Sequence, residues 1–466
     1  MNGPVRLANW NSSAFSEPLH DEKPKDADAL AAIIRNGNFP SPVRAAGHFH
    51  SLNRCIEADG GTQVRMDHFD RISIDPANHR VTVGAGVSLL RIAEALLPDF
   101  QLPVMPEIGN ATAGSIACCG TKDSSLGSGP GQVSSTVEAI TYLDEAGQRH
   151  SVTEQSDPPR LKLLRSSYGL VGVIVEVTFR IEPAKVVLFD YQPLPANPLP
   201  SLAEVRGGAD GFLAFLEPYN NKLIVERRTL DPENRPITTL DRLQCQFRSF
   251  LWETGGSLLA SAVRRLRTPL LPPGNPFRTL LDPSRLLQDL LDDSLVVALD
   301  PLQFRARRAD TMIDFGGTRS HYFDFTFWAF PASSWATVVP DYLQFCDARK
   351  EIFRPSLPTE IYSISRDDRA LLSVSSDEDV FTLDMVHHRG DGPFDPRWIS
   401  LNQEFNEFAA RRGGRPLLNQ TKELTPTIVG EVRSRNPALD KGWKALAASA
   451  KPRFMSGYFQ TLVRET

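Results

Sequence analysis

Apolar and polar positions alternate with a period of two in short runs through the first 180 residues, the signature of strands with one buried face. Across Arg71–Val87 the residues Ile72, Ile74, Val81 and Val83 alternate with polar neighbours, which predicts a pair of strands. From Ser88 to Leu97 the apolar positions recur at helical intervals instead, so a helix is expected to follow. Strands mixed with two helix patterns place this stretch in the α+β class. Tyr191–Pro200 (YQPLPANPLP) reads as a proline-rich connector, and a separate sheet is expected beyond it. Its strands are predicted at Phe212–Leu216, Leu223–Val225, Tyr322–Phe330, Leu371–Val374 and Val380–Met385. Between them Leu243–Leu299 is expected to be helical, and Ser257–Arg267 within it is amphipathic and locally basic. There is no internal repeat, which argues against a solenoid.

Length and composition narrow the picture. A chain of 466 residues that is 41% hydrophobic can bury two cores, and two domains are the expected number. A net charge of −5 argues against nucleic acid as the main partner, because phosphate binding needs a surplus of Lys and Arg on one face. The opening MNGPVRLANWNSSAF lacks an apolar stretch of signal-peptide length, and no run of about eighteen apolar residues occurs, so a cytoplasmic location is expected. Five cysteines without paired spacing fit a reducing compartment better than a disulfide framework. Cys118-Cys119 is not C-x-x-C, and no metal site is expected.

Candidate chemistry concentrates in two loops. Val43–Asn53 (VRAAGHFHSLN) and Gly109–Thr121 (GNATAGSIACCGT) are rich in Gly, Ala and Ser, so backbone N–H groups can approach a diphosphate without side chains in the way. Neither fits G-x-G-x-x-G or G-x-x-x-x-G-K-[ST], which weakens the ordinary dinucleotide and NTP readings.

These loops resemble the flavin-binding half of the vanillyl-alcohol-oxidase (PCMH-type) FAD-linked oxidase superfamily. Ser166–Thr178 is similar to that family's "GxLGxIxxVT" strand, and Pro437–Phe459 resembles its closing "DPxxxFxxxYL" element. The resemblance implies an α+β fold with a two-subdomain PCMH-type FAD-binding domain over residues 1–183 and a cap domain over 184–424. The cap is expected to hold a large antiparallel sheet flanked by helices, and residues 425–466 to return to the FAD domain. It further implies FAD held by Ala45, Ala46, Gly47, His48, Phe49, His50 and Ser51, by Ala111, Gly114, Ile116, Gly120 and Ser124, and by Gly172 and Ile174. In many members the histidine of "GxxHS" is joined through a ring nitrogen to the 8α-methyl of FAD, and His50 occupies that position. Without the family His50 reads as a loop residue; His48 is expected to face the phosphates, and Cys118 and Cys119 to pack in the loop. Where many relatives have Thr-His-Gly-Ser, this chain has Thr121-Lys122-Asp123-Ser124, and Lys122 and Asp123 are expected to form a solvent-facing pair.

The sterol-oxidase and alditol-oxidase branches carry a Glu-x-Arg pair facing the flavin; in Pro358–Asp368, which resembles that strand, Glu360 matches the glutamate and Tyr362 replaces the arginine. Period two places both on one face, where an acid and a hydroxyl can meet one substrate; an ordinary solvated strand would look the same. Arg415–Leu424 resembles the last strand before the chain returns, with Lys422 matching a lysine near the flavin's pyrimidine edge and Asn419 a donor to the substrate oxygen. His387 and His388 alternate faces and make a poor metal pair.

The function implied is an FAD-dependent oxidase that moves hydride from a C–OH carbon to flavin N5, with Glu360 as base and O2 reoxidising the flavin to give H2O2. The Phe- and Trp-rich middle, as in Tyr322–Phe330, points to a bulky, largely apolar alcohol or equally to plain core. Residues 257–267 could touch a membrane or lipid surface. An oxidative cyclase or dehydrogenase of natural-product biosynthesis, a carbohydrate or polyol oxidase, and a non-enzymatic flavin binder remain open, as does the oligomeric state.

Overall fold

A computed structural model describes residues 6–252, 297–315, 323–388 and 395–464. The predicted strand pair forms as Ile72–Asp75 and Arg80–Gly84, in the register Ile72↔Val83 and Ile74↔Val81. It belongs to a five-stranded antiparallel sheet completed by Val173–Arg180, Val137–Leu143 and Arg149–Thr153. A small parallel sheet of His20–Glu22, Thr62–Arg65 and Val43–Ala46 delivers the first loop from the end of its last-named strand. The predicted helix runs Leu89–Leu96, capped by the Ser88 hydroxyl on the Arg91 N–H. Its buried Leu89, Ile92, Ala93 and Leu96 join one core with Val81, Val83 and Val177. Trp443, Leu446, Phe454 and Phe459 of the C-terminal segment pack into that same core.

The second layer is a seven-stranded antiparallel sheet. Its order is Gln303–Arg307, Val186–Pro195, Lys222–Leu230, Gly211–Glu217, Thr359–Ile364, Val380–His388 and Phe323–Pro331. Period-two alternation gives its two faces different work. Phe212, Val225, Ile361, Leu383 and Trp328 point to one face and pack with the helices Trp335–Asp347 and Pro396–Arg411. Neighbouring positions Leu213, Phe215 and Ile224 point to the other, and so, by the same alternation, do Glu226, Arg228, Glu360, Tyr362 and Asp384. Glu360, Tyr362 and Asp384, discussed below, stand on that second face.

Three sequence expectations are corrected here. Tyr191–Pro195 is not a connector but the end of the strand Val186–Pro195. Its pairing with Gln303–Arg307 stops at Asp190, and the Ala196 N–H points to Asn221 on the other side. By alternation Pro193 and Pro195 therefore set their missing N–H groups toward an open edge, where proline is tolerated. Leu371–Val374 forms turns, with Leu372 packed in the first core and Val374 under the sheet. Arg415–Leu424 is a turn-rich loop tied to the edge strand Phe323–Pro331 by the bridge Ala329↔Arg415 and by hydrogen bonds from Thr421 and Lys422. Within the stretch expected to be helical, Thr239–Phe250 is a helix with a Thr238–Asp241 capping box, whereas Ser257–Arg267 and Tyr322 lie outside the described residues.

Candidate functional site

Both glycine-rich loops face one cleft. Its wall takes Ala45, Ala46, Gly47, His48, Phe49, His50 and Ser51 from the first loop, Ala111, Gly114 and Ile116 from the second, and Gly172 and Ile174 from the end of the central strand. Gly120 and Ser124 stand off that wall: a side chain on Gly120 would strike Leu417, and the Ser124 hydroxyl donates to the Phe212 carbonyl at 2.5 Å. The loops touch at Gly47, where an added Cβ would sit 2.1 Å from Thr112 Oγ1. Gly47→Ala is therefore expected to cost about 1–3 kcal/mol in thermal unfolding and to loosen the cofactor. The double variant Gly47→Ala/Thr112→Gly should recover most of it, since Gly at a helix cap costs only a few tenths relative to Thr.

The wall carries polar atoms that no described residue satisfies. Both ring nitrogens of His50 are buried without a hydrogen-bond partner, and so are Asn419 Oδ1 and Gln420 Oε1. Buried orphans of this kind call for a ligand. Burial, then the neighbouring His48, lowers the His50 pKa to about 4 against the opposing pull of Asp314, so the imidazole is neutral with a free lone pair. Trp10 stands 5.8 Å from the His50 ring. His48 Nδ1 donates to the Asn110 carbonyl at 2.6 Å, so that ring is already engaged. Cys118 and Cys119 are free thiols with sulfurs 3.8 Å apart. Arg44, buried beside them, donates to the carbonyls of Cys55, Tyr168 and Phe454 and so ties the first loop's strand to the C-terminal segment. Trp10, Arg44, Phe325 and Gln420 also line the cleft; the last three lie in stretches that the sequence singles out, but none of the four was expected to be a site residue.

Glu360 and Tyr362, on the cap sheet and not among the residues that line this cleft, meet as their spacing predicts: the Tyr362 hydroxyl donates to Glu360 Oε2 at 2.9 Å. Lys122 and Asp123 correct the sequence reading. They are buried and point apart, because each has a stronger partner on the sheet than the other could offer. Lys122 Nζ lies 2.7 Å from Asp384 Oδ2 and 4.1 Å from the centre of the Tyr362 ring. Asp384 pairs directly across the strands with Glu360 on one side and Phe327 on the other. Burial first, and then Asp384, raise the Glu360 pKa to about 7 although Lys122 and Tyr362 pull it down. Phe325 connects the two regions: it lines the cleft, and its ring lies 5.9 Å from the Lys122 ammonium.

Asp123 belongs to a second buried group below the cluster. It binds Arg228 at 2.7 Å and also Arg308, while Glu226 binds Arg228 and Arg248, both of which reach Glu107. The three acids balance the three arginines, which is what makes burial of so much charge tolerable. Attraction to Arg248 and Arg228 overcomes the burial penalty and holds the Glu226 pKa at about 2. A depressed carboxylate stabilises the fold above its unfolded pKa and loses that contribution as pH falls through its folded value. Glu226→Gln is expected to destabilise by about 3–5 kcal/mol in denaturant melts at pH 7, with the difference from wild type closing between about pH 4.5 and 2.

Lys422 stands away from the cleft wall. Its ammonium pairs with Asp324 Oδ2 at 2.7 Å, an oxygen that also accepts from Trp398 Nε1, and the charge is thereby engaged inside the cap core. Asn419 does reach the cleft, anchored by its Nδ2 on the Gly120 carbonyl at 2.9 Å. His387 shares its Nδ1 with Ser356 at 3.1 Å, and no cluster suited to a metal occurs among the described residues.

Comparison with known proteins agrees with this geometry. Residues 18–153 match the family model described as an FAD binding domain. Over that stretch the chain is similar to the FAD-binding domain of the vanillyl-alcohol-oxidase/PCMH-type flavoproteins. FAD is thus the cofactor that the orphaned polar wall fits. The D-arabinono-1,4-lactone oxidase of Saccharomyces cerevisiae is 23% identical over 239 residues, 49% of this chain and 45% of that protein, so the chain is matched over less than half of that relative. The L-gulonolactone oxidase of Scyliorhinus torazame is 22% identical over 88% of each chain. Among solved structures, a variant of the cholesterol oxidase from Brevibacterium sterolicum superposes with a TM-score of 0.72 at 16% identity, over 98% of this chain and 96% of that one. The PCMH-type α+β fold is shared along nearly the whole chain. No helix among the described residues is long and apolar enough to cross a membrane.

Proposed function

We propose that this protein is an FAD-dependent oxidase that takes hydride from the C–OH carbon of a small-molecule alcohol, with O2 as the final acceptor. The observation that carries the reading is Glu360: a carboxyl held near pKa 7 and hydrogen-bonded to Tyr362, whose ring meets Lys122, the residue after Thr121 of the cleft that fits FAD. FAD, when bound, supplies the two-electron acceptor. Glu360 in its ionised form takes the hydroxyl proton, and Tyr362 keeps the carboxylate oriented through its own O–H donor. Asn419, anchored on Gly120, offers its free amide oxygen to a donor in the cleft. Phe215, Phe325, Phe327 and Trp252 surround the acid–base pair with aromatic surface and favour a substrate with a bulky apolar body. The concentration of Lys122, Asp384, Glu360 and Tyr362 in one patch, and the lactone oxidases among the relatives, favour instead a polyhydroxylated lactone.

Anaerobic mixing of the yellow protein with sterols, long-chain alcohols, D-arabinono-1,4-lactone and L-gulono-1,4-lactone distinguishes these. Bleaching identifies the substrate, and recolouring with peroxide on admission of air identifies an oxidase. Bleaching that air does not reverse would replace the oxidase by a dehydrogenase or cyclase. Flavin that no CH–OH compound bleaches would overturn the reading.

A further inference from the structure

The position that departs from the family's loop pattern is also the position that joins the two halves of the site. Lys122 follows directly on Thr121, which lines the FAD cleft, yet its side chain crosses to the cap sheet and ends between Asp384 and the face of Tyr362. The lysine and Asp384 side chains are 7% and 1% exposed, so the pair is shielded from water, and its Coulomb interaction acts at short range without screening. We propose that Lys122 and Asp384 are positioning residues of the acid–base site, an ion pair that fixes the pose of the Tyr362–Glu360 hydrogen bond relative to the flavin loop and sets the charge state in which Glu360 works. This rests on the reading of Glu360 as the base.

The geometry gives the two members opposite effects. Asp384 is the cross-strand neighbour of Glu360, and a carboxylate there opposes a second negative charge. The Lys122 ammonium favours that charge. Tyr362 from the same strand donates to Glu360, and Glu107 adds a further negative field; Asp123 faces Tyr362, but its charge is taken up by Arg228 and Arg308. Removing the cation must therefore raise the pH at which Glu360 ionises, and removing the neighbouring anion must lower it. A side chain that merely fills space would do neither.

The test uses the flavin-loaded full-length protein and compares Lys122→Met, Lys122→Arg and Asp384→Asn. The rate of anaerobic flavin reduction is followed against pH with the substrate that bleaches the wild type, alongside the pH dependence of the oxidised flavin's visible spectrum without substrate. Lys122→Met is expected to move the midpoint of both curves up by at least one pH unit, which slows reduction about fivefold at pH 7. Asp384→Asn should move both midpoints down, and Lys122→Arg, which keeps the charge, should stay within about half a unit of wild type. Coincident curves for Lys122→Met and wild type, or shifts of the same sign in Lys122→Met and Asp384→Asn, overturn the proposal. Should Lys122→Met fail to retain flavin or native circular dichroism, the sign of the Asp384→Asn shift decides. Glu360→Gln separates the two levels of argument. If its rate keeps the wild-type pH dependence, Glu360 is not the base; if that dependence vanishes while Lys122→Met is unshifted, only the role of Lys122 fails.

Discussion

Replacing His50 by alanine is expected to turn a flavin that survives acid precipitation into one that is lost to the supernatant. The structure motivates this through a neutral imidazole whose two buried nitrogens have no partner among the described residues. Leaving such groups unsatisfied costs about 1–3 kcal/mol each, so a ring kept in this state implies that something else completes it. A bond from one nitrogen to the flavin's 8α-methyl would do so and would also raise the flavin's reduction potential, because the substituent withdraws electron density. The wild-type pellet should stay yellow after denaturation in acid, and the His50→Ala pellet should be colourless. A potentiometric titration should show a lower flavin potential in the variant. A wild-type pellet that loses its colour would show that FAD is held without a covalent bond, and His50 would then be a wall residue only.

Glu360→Gln is expected to slow anaerobic flavin reduction by about 10²–10⁴-fold with substrate binding nearly unchanged, since the amide keeps the shape and loses the base. In the wild type the rate should rise with pH through a midpoint near 7, where Glu360 ionises, and in the variant that rise should disappear. Stability carries a second signature. A carboxyl whose folded pKa is raised gives a contribution that is complete below the unfolded value and lost as pH rises through the folded one. The wild type is therefore expected to lose stability between about pH 4.5 and 7 relative to Glu360→Gln, and the variant to melt higher at pH 8. A variant that bleached at the normal rate would remove Glu360 from the chemistry.

What could be read in the sequence follows from the range of the interactions involved. Ile72, Ile74, Val81 and Val83 announced a strand pair, and the pair formed in that register, because a period-two pattern needs only local geometry; Val81 and Val83 carry its buried face while Ile74 stays exposed at the edge of the sheet. Glu360 and Tyr362 met for the same reason. Tyr191–Pro195 misled because proline is usually a strand breaker, and only the open edge of the finished sheet makes it acceptable. Lys122 misled more seriously: adjacent opposite charges suggest a surface pair, yet Lys122 found Asp384 and Asp123 found Arg228 and Arg308.

The sequence by itself therefore showed two small-residue loops that let a backbone approach a diphosphate, a local requirement, and it was the family resemblance of those loops that pointed to FAD. It also placed Glu360 and Tyr362 on one face of a strand. Only the tertiary structure decided what surrounds that carboxyl. The burial of Glu360, the arrival of Lys122 from the flavin loop and the engagement of Lys422 by Asp324 all depend on residues far apart in the chain. A side chain's charge state is set by everything that surrounds it, and no stretch of sequence contains its own surroundings.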